Sequence, residues 1–376
     1  MKVLMVTGVT PVPPDRGDRI RAQHLLNVLI RKCEVHLALL GDHISPVHEQ
    51  ELCDLGVRIH SIQVSPYDRG VGVFRGIVRR RPWSMLVARN LRRRLREIQE
   101  AFDIVVAFQL KTALIAGEVP TRLRILDLTD SLGLYRSLMP NRNLRWLALQ
   151  GAYDEESYWA IRYDYTLLSS IRDLTAIQRV APRTNAMVVE NGSIPWDTPV
   201  KSGKKENLLF VGNLDYLPNL SGLASFVDHT WPHVYQQTGT RLRVVGQVSR
   251  KAARRLSRPG VEVLGYVKEL RAEYERALAL VNPIVFGTGT RSKVLEAWAA
   301  GLPVISTPEG VAGLEYLEGT HILHAGSPCT WAGAVTRLQS DHKLWESMNL
   351  GTWAHIRDRY NATRIWEDAM SVILSR

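Results

Sequence analysis

The sequence has few cysteines and no long apolar run, and both absences narrow what the protein can be. Its 376 residues include three cysteines, Cys33, Cys53 and Cys329, which lie too far apart to suggest a disulfide framework or a paired zinc motif. No stretch approaches the roughly 18 apolar residues of a membrane span, and the opening MKVLMVTG lacks the cleavage-site architecture of a signal peptide. We therefore expect a globular protein located in the cytoplasm.

Two ligand-binding motifs are also missing. The first predicted strand is not followed by a GxGxxG turn, which counts against a dinucleotide cofactor site. No Asp-x-Asp pair follows a suitable strand, so the sequence indicates no metal ligands. We expect neither a cofactor nor a metal ion.

Acidic residues are absent from one strongly basic stretch, Arg75–Arg96. Its sequence, RGIVRRRPWSMLVARNLRRRLR, contains nine arginines, which account for most of the formal net charge of +11. Apolar residues are mixed with these arginines, which favours contact with an anionic membrane at the inner face of the plasma membrane. A solvated helix face with buried apolar positions explains the pattern nearly as well. Phe74 and Trp83 are too few aromatic residues for a nucleic-acid groove, so we expect no nucleic acid as a partner.

Apolar runs alternate with helical patterns along the chain, which is typical of βα units in a parallel sheet. The polar, aperiodic segment 193–207 is predicted to be a linker. We expect two doubly wound α/β domains, 1–192 and 208–355, followed by an amphipathic helical segment, 356–376, that packs back toward the first domain. The predicted strands are Lys2–Gly8, Glu34–Leu40, Asp103–Phe108, Arg124–Leu128, Tyr165–Ser170, Ala186–Gly192, Asn207–Gly212, Arg241–Gly246, Val261–Tyr266, Leu278–Ile284, Leu302–Pro308 and His321–Ala325.

The stretch GTGTRSKVLEAWAAGLPVIST, Gly287–Thr307, combines three signals. Its glycines follow the carboxyl end of a predicted strand, where ligands bind in open α/β sheets. A helix is predicted next, with Ser292 as its N-cap and Gly301 as its C-cap. The amino end of this helix and the side chains of Arg291 and Lys293 would favour a bound phosphate or diphosphate.

Glu296 lies one turn into the same predicted helix. A carboxylate there could accept hydrogen bonds from two vicinal hydroxyl groups, as ribose presents them, at about 1.5–3 kcal/mol each. Basic residues for phosphate and an acid for ribose together describe a nucleotide site. The alternative is that Glu296 only complements the helix dipole and that Arg291 is a solvated surface charge.

GTGTRSKVLEAWAAGLPVISTPEGVAGL resembles the donor-site signature of retaining glycosyltransferases of family 4, which have the GT-B fold of two Rossmann-like domains facing a cleft. In that family's Glu-x7-Glu pattern the second glutamate binds the ribose, and it corresponds to Glu296. The first glutamate, which contacts the transferred sugar, is replaced here by Thr288. Gly-Thr-Gly followed by a basic residue is similar to a subgroup of exopolysaccharide-associated transferases.

Two further segments resemble the same subgroup, and a third resembles the family's base-contacting loop. PVPPDRGDRIRAQHLLNVL is similar to the first-domain loop, where Gly17 would approach the phosphates and Arg19 or Arg21 would line the cleft. FVGNLDYLPNLSGLASF is similar to the opening of the second domain, with Asn213 in place of the usual arginine. The loop that meets the base corresponds to Gly265–Val267. The resemblance thus implies that the nucleotide sugar is bound by Gly17, Arg19, Gly212, Asn213, Gly265, Tyr266, Val267, Thr288, Gly289, Thr290, Arg291 and Glu296.

The resemblance implies retaining, metal-independent transfer of a hexosyl or related group from a nucleotide diphosphosugar to a glycan, lipid-linked or small-molecule acceptor, as in surface polysaccharide synthesis. The expected catalytic residues are Arg291, Lys293 and Glu296. The Gly289–Arg291 backbone and the basic side chains would stabilise the departing diphosphate, and no protein nucleophile would be required. Two alternatives stay open. One is a GT-B sugar-nucleotide epimerase, and the other is a non-catalytic protein that binds a membrane or nucleic acid through Arg75–Arg96.

The first domain offers weaker candidates. The acidic cluster ILDLTDS could bind acceptor hydroxyls through Asp127, although Asp130 is interpreted as a helix cap. His24 lies beside Leu25 on a helical face and is predicted to be a packing residue. Gln109 and Lys111 follow a predicted strand and are expected to face the cleft.

Overall fold

The computed structural model divides the chain into two compact units. Unit 1 consists of Met1–Asn191 and Thr363–Arg376, and unit 2 consists of Gly192–Ala362. The stretch Arg75–Arg96 and Thr290 lie outside the described residues. Of the helices that are described, none is both long and apolar enough to cross a membrane. The structure describes residues 1–41, 44–63, 98, 100–139, 145–201, 203, 205, 207–289 and 291–375, with only the backbone at 145–150.

Unit 1 contains a seven-stranded parallel sheet in the order β3-β2-β1-β4-β5-β6-β7. Its strands are β1 (Lys2–Thr7), β2 (Glu34–Leu40), β3 (Arg58–Ile62), β4 (Ile104–Phe108), β5 (Leu123–Thr129), β6 (Tyr165–Leu168) and β7 (Ala186–Val188). Its described helices before the C-terminal segment are α1 (Gly17–Lys32), α2 (Pro46–Asp54), α3 (Ala113–Ala116), α4 (Leu132–Leu138), α5 (Arg145–Ala160) and α6 (Ile171–Val180).

The central strands of unit 1 are apolar at nearly every position because both faces of the sheet are covered. Side chains alternate along β1, so that Val3 and Met5 belong to one buried cluster with Leu25 of α1. Leu4 and Val6 belong to a second cluster on the opposite face. This two-sided burial explains why the strand carries no polar alternation.

Unit 2 repeats the arrangement with six parallel strands in the order β10-β9-β8-β11-β12-β13. The strands are β8 (Asn207–Val211), β9 (Arg241–Val245), β10 (Val261–Gly265), β11 (Ala277–Asn282), β12 (Val304–Ser306) and β13 (Ile322–His324). The helices are α7 (Leu217–His229), α8 (Trp231–Thr238), α9 (Arg250–Leu256), α10 (Arg271–Arg276), α11 (Ser292–Ala299), α12 (Pro328–Ser340) and α13 (His342–Asp358).

The last helix, α14 (Ala362–Leu374), belongs to unit 1 from its second residue, Thr363, onward. Its residues Trp366, Met370 and Ile373 are buried in the same cluster as Leu25. The helical segment predicted from residue 356 begins later than expected. Ile356 is fully buried in unit 2, so α13 continues to Asp358 before the chain returns to unit 1.

All twelve predicted strands are present, and β3 was missed. This strand, RIHSI, is an edge strand with one buried residue, Ile62, and its sequence therefore lacks a continuous apolar run.

The predicted linker 193–207 is hydrogen-bonded to the rest of unit 2. The backbone amides of Trp196 and Val200 donate to the carbonyl groups of Ala299 and Ala300 at 3.0 and 2.7 Å. Backbone bonding of this kind leaves no periodic pattern in the side chains, which is why the segment reads as a linker in the sequence.

Candidate functional site

The strand order of unit 2 reverses between β8 and β11, which are adjacent parallel strands. In doubly wound sheets the crevice beyond the carboxyl ends of two such strands is where ligands bind. Gly212 and Asn213 follow β8, and the loop that contains Gly287 and Gly289 follows β11. The structure therefore places these sequence-predicted residues at the switch point of the second sheet.

Helix α11 begins at Ser292, one residue earlier than a cap at that position predicts. Arg291 occupies the N-cap position with φ −78° and ψ 70°, and its side chain makes no capping hydrogen bond. Ser292, the predicted N-cap, is the first residue with helical geometry, so that prediction is wrong. Ala300 is the C-cap residue, so Gly301, the predicted C-cap, stands one position later, with φ 71°. The amide of Gly301 donates to the carbonyl oxygen of Trp298, and the amide of Leu302 donates to that of Ala297. This pair of bonds is a Schellman motif, for which glycine is favoured.

Arg291 turns back onto its own loop. Its guanidinium donates to the carbonyl oxygens of Gly287 and Thr288 at 3.3 Å each. It also donates to Glu309, at 2.9 Å to the carbonyl oxygen and 3.2 Å to the carboxylate. The Arg291 side chain is 9% exposed, and its hydrogen bonds hold the loop against the 3₁₀ turn at Glu309–Val311.

Lys293 is held at the switch point by contacts with two other elements. Its ammonium group donates to Asn219 Oδ1 at 2.5 Å and lies 4.6 Å from the centre of the Phe210 ring. Asn219, on α7, donates in turn to the carbonyl oxygen of Asn213 at 2.8 Å. Burial, with a smaller effect of the neighbouring Arg291 charge, lowers the pKa of Lys293 to about 7, and the charge of Glu296 acts against that fall. The site thus contains a poorly solvated amine that a bound anion would stabilise in its charged form.

Glu296 lies one turn after Lys293 on α11 and is half-buried. Burial raises the pKa of its carboxyl group to about 7, and the charge of Lys293 acts against that rise. Among the residues that the structure describes, none forms a hydrogen bond with this carboxyl group. A poorly solvated carboxyl group of this kind is suited to accept hydrogen bonds from a ligand.

Three glycines lie close together at the carboxyl ends of β8, β9 and β10. A Cβ atom on Gly246, whose φ is 135°, would lie 2.0 Å from the carbonyl oxygen of Gly212. The amide of Gly246 donates to the carbonyl oxygen of Gly265 at 2.9 Å. Beyond Gly265, the side chain of Tyr266 is 65% exposed, whereas Val267 packs partly against the core.

Sequence reasoning missed two residues of this arrangement. Asn219 lies inside the quoted FVGNLDYLPNLSGLASF, but a single asparagine on a helix gives no signal until its partners are known. Gly246 ends a predicted strand as Gly212 does, and this shared position at a strand end was the sequence signal that could have identified it.

The residues predicted in the first domain lie in unit 1, at the amino end of α1. Gly17 is the first helical residue. Arg19 forms an ion pair with Asp15 at 3.2 Å.

Arg21 does not line a ligand site, contrary to one of the two options offered for that loop. Its guanidinium and the carboxylate of Asp127 are both fully buried and lie 2.9 Å apart. Arg21 also donates to the carbonyl oxygen of Val189 and to Asn191 Oδ1, at 2.7 and 2.8 Å. Asp127 is therefore part of the interior of unit 1 and is not available to bind acceptor hydroxyl groups.

The helix cap assigned to Asp130 is also wrong. The side chain of Ser131 caps α4 by accepting from the amide of Leu134, while Asp130 accepts a hydrogen bond from Ser169 at 2.7 Å. Ser131 precedes the first helical residue and Asp130 stands one residue too early for the cap.

Two residues of the first domain are held in the left-handed region at adjacent strand ends. Gln109 after β4 has φ 68°, and Thr129 at the end of β5 has φ 67°. Lys111 donates to the carbonyl oxygen of Gly8 at 3.3 Å, beside the strand-order reversal of unit 1. His24 is 8% exposed and contacts the carbonyl oxygen of Asn191, which confirms its packing role.

The second unit matches a known family. Residues 205–341 match the family model described as "Glycosyl transferases group 1". An "uncharacterized 44.6 kDa protein in cps region" of Klebsiella pneumoniae is 22% identical over 170 residues, which are 43% of this chain and 44% of that protein. That alignment spans less than half of either protein.

Several solved structures share the fold over almost the entire chain. Anabaena HepE, in complex with UDP and glucose, superposes with a TM-score of 0.71 at 12% identity and full coverage of both chains. A variant of S. aureus TarM, in complex with fondaparinux, α-GlcNAc-glycerol and UDP, gives a TM-score of 0.72 at 9% identity and 99% coverage of each chain. The chain therefore has the GT-B fold, and its second unit carries the match to the group 1 glycosyl transferases.

Proposed function

We propose that the protein is a glycosyltransferase that moves a sugar from a nucleotide diphosphosugar to an acceptor hydroxyl group. The observation that carries the proposal is the pairing of Lys293 and Glu296 on the first turns of α11, at the switch point of the unit that matches the family model. A cation suits the diphosphate and a carboxylate suits the ribose hydroxyl groups, and both side chains here are poorly solvated.

The diphosphate is proposed to lie at the amino end of α11. Lys293 faces the switch point from α11, and the helix end adds partial positive charge. A bound dianion would raise the lowered pKa of Lys293 and keep the amine protonated, because the opposite charge favours the charged form. Arg291 contributes mainly by fixing the loop, since the Glu309 carboxylate already lies 3.2 Å from its guanidinium.

The ribose is proposed to hydrogen-bond to Glu296. Two charge-assisted bonds to vicinal hydroxyl groups are worth about 3–6 kcal/mol together. The base would then lie toward the loop at Gly265–Val267, where the exposed Tyr266 ring offers a contact surface. Thr288 stands where related sequences have a glutamate, so the transferred sugar is expected to be held by backbone groups of the same loop.

The chemistry proposed is retaining and independent of a metal ion. As the bond between the anomeric carbon and the diphosphate oxygen breaks, negative charge grows on the diphosphate, and Lys293 with the helix end stabilises it in place. The acceptor oxygen forms the new bond on the same face, and its proton passes to the leaving diphosphate. Charges that are already fixed need no reorganisation during the step.

The acceptor is proposed to be a glycan or lipid-linked sugar of a surface polysaccharide. The relative from the cps region supports this assignment, and the basic stretch Arg75–Arg96 would bring the enzyme to an anionic membrane at the cytoplasmic face. UDP is the first nucleotide to test, because the HepE and TarM structures contain it.

The test is a comparison of nucleotide binding and transfer in Glu296→Gln, Glu296→Ala and the parent. Thermal stabilisation by UDP, GDP, dTDP and ADP identifies the base, since a ligand that binds only the folded state raises its stability. Glu296→Ala is expected to reduce transfer at least about a hundredfold and to weaken binding of the preferred nucleotide, because two charge-assisted bonds are lost. Glu318→Gln changes an exposed acid in the same unit and is the control that should leave both unchanged. Equal affinity of the Glu296 variants and the parent for every nucleotide would remove Glu296 as the ribose ligand.

A further inference from the structure

A second cluster of ionisable side chains lies at the amino-terminal edge of the unit 1 sheet, away from the strand ends discussed above. Glu34 and His36 are on β2, and their side chains share one face because they are two residues apart. Glu100 precedes β4, and together these three side chains bring one nitrogen and two oxygen atoms within 4.8 Å of one another. The cluster therefore joins β2 to the segment before β4, which lies more than 60 residues later in the chain.

His36 is the member that points to a ligand. Its side chain is 0% exposed, and its Nε2 atom is buried without a hydrogen-bond partner among the described residues. Glu34 Oε1 lies 3.6 Å and Glu100 Oε2 lies 3.5 Å from that nitrogen. Both distances exceed a hydrogen bond, so the buried nitrogen faces two carboxylates across a small gap.

The other ring nitrogen of His36 already has a hydrogen-bond partner. Its Nδ1 atom lies 2.9 Å from Nε2 of His60. When Nδ1 carries the hydrogen and donates it to His60, the lone pair of His36 Nε2 is directed at the two carboxylates. Histidines that bind metals show this pattern, in which an acceptor on one ring nitrogen orients the other.

We propose that Glu34, His36 and Glu100 bind a divalent metal ion of the zinc class. A tetrahedral zinc ion holds nitrogen and oxygen ligands at about 2.0–2.2 Å, which places two ligand atoms about 3.4 Å apart. The observed separations of 3.5 and 3.6 Å match that spacing closely. One imidazole and two carboxylates suit zinc and its neighbours in the first transition row better than they suit calcium or magnesium, which prefer oxygen ligands alone.

Two cations compete for the same carboxylates. Lys2 Nζ lies 2.7 Å from Glu100 Oε2 and Arg58 lies 3.2 Å from Glu34 Oε1. Their side chains are 39% and 59% exposed, so both can move into solvent when a metal ion arrives. In the absence of metal they keep the two acids neutralised, and a bound ion would link β2 to the segment before β4.

The experiment uses the full chain without an affinity tag, stripped with a chelator and titrated with Zn²⁺ by calorimetry near neutral pH. One Zn²⁺ is expected to bind per chain, with no comparable heat from Mg²⁺. The double variant Glu34→Gln, Glu100→Gln is expected to weaken Zn²⁺ binding at least about tenfold. Changing a residue that only hydrogen-bonds to a metal ligand already lowers metal affinity by about tenfold or more, and this variant changes two ligands. Co²⁺ in place of Zn²⁺ should give the visible absorption of a four-coordinate ion in the parent and lose it in the double variant.

Lys2→Gln is the more discriminating variant, because it should strengthen Zn²⁺ binding whereas the double variant should weaken it. Removing this exposed competitor from Glu100 is expected to tighten Zn²⁺ binding severalfold while leaving the fold intact. The matched control is Glu318→Gln, whose partner His324 lies 3.5 Å away in an exposed pair with one carboxylate. Absence of Zn²⁺ binding, equal affinity in the double variant, or an unchanged affinity in Lys2→Gln would each overturn the proposal and leave the cluster as an ion-pair network.

Discussion

Arg21→Met tests whether the buried acid of unit 1 serves the fold or a ligand. Arg21 and Asp127 are both 0% exposed, and the guanidinium Nε lies 2.9 and 3.0 Å from the two carboxylate oxygens. Removing one member of a buried ion pair typically costs about 3–5 kcal/mol, because the remaining charge has no partner. For a unit of about 200 residues, each kcal/mol lowers the melting temperature by about 2–4 °C, so a decrease of roughly 6–20 °C is expected.

The pH dependence of this variant follows from the carboxyl group that is left behind. Burial raises the pKa of Asp127, and Arg21 and the amide of Thr129 oppose that rise. Without Arg21 the folded protein favours the protonated acid still more strongly. The folded pKa then lies above the unfolded value of 3.8, so the contribution of Asp127 to stability is present at low pH and is lost as the pH rises. The difference from the parent should therefore be larger at pH 8 than at about pH 5.

The assay is denaturant unfolding and calorimetry of Arg21→Met beside Arg31→Met. Arg31, also on α1, pairs with Glu367 of α14, but these side chains are 58% and 43% exposed, and such pairs contribute less than about 1 kcal/mol. The double variant Arg21→Met, Asp127→Leu should recover part of the lost stability. If Arg21→Met unfolds no earlier than Arg31→Met, and loses transfer activity instead, the pair acts on a ligand and the structural account is wrong.

Two further predictions concern stability. Gly246→Ala would place a Cβ atom 2.0 Å from a backbone carbonyl oxygen of the β8–α7 loop at a φ of 135°, so a loss of at least about 2 kcal/mol is expected. Gly319→Ala, also at positive φ but with no atom within 4 Å, should cost about 1 kcal/mol in the same urea titration, and equal losses would refute the contact argument. His24 has a pKa lowered to about 4, chiefly by burial, so stability should fall by up to about 3 kcal/mol as the pH drops from 6.5 toward 4. His24→Gln should make that loss shallower when unfolding is measured at several pH values, and an unchanged slope would show that other groups cause it.

The fold was predictable from the sequence to a large extent. The apolar runs at Lys2–Thr7 and Ala277–Asn282 mark strands that are buried on both faces, and their short length and the turn residues that follow them favour a strand over a buried helix segment. The Arg58–Ile62 strand was not predictable because an edge strand depends on its neighbour's backbone and needs few apolar side chains.

The candidate site was also predictable from the sequence only in part. Glu296 and Lys293 were found from the sequence because a glycine loop and a helix start are local features. The role of Asn219 was not found, because it depends on a hydrogen bond to Lys293 across 74 residues.

By itself the sequence determined two α/β domains, the position of the loop and helix that form the site, and the resemblance that led to a nucleotide sugar. Local periodicity and turn chemistry act over a few residues, so they can be read without the fold. The tertiary structure alone decided that Arg21 and Asp127 neutralise one another in the interior, that Arg291 binds its own loop, and that His36 faces two acids. Those outcomes depend on burial and on contacts between distant segments, and only the folded chain specifies which charged groups share a poorly solvated space.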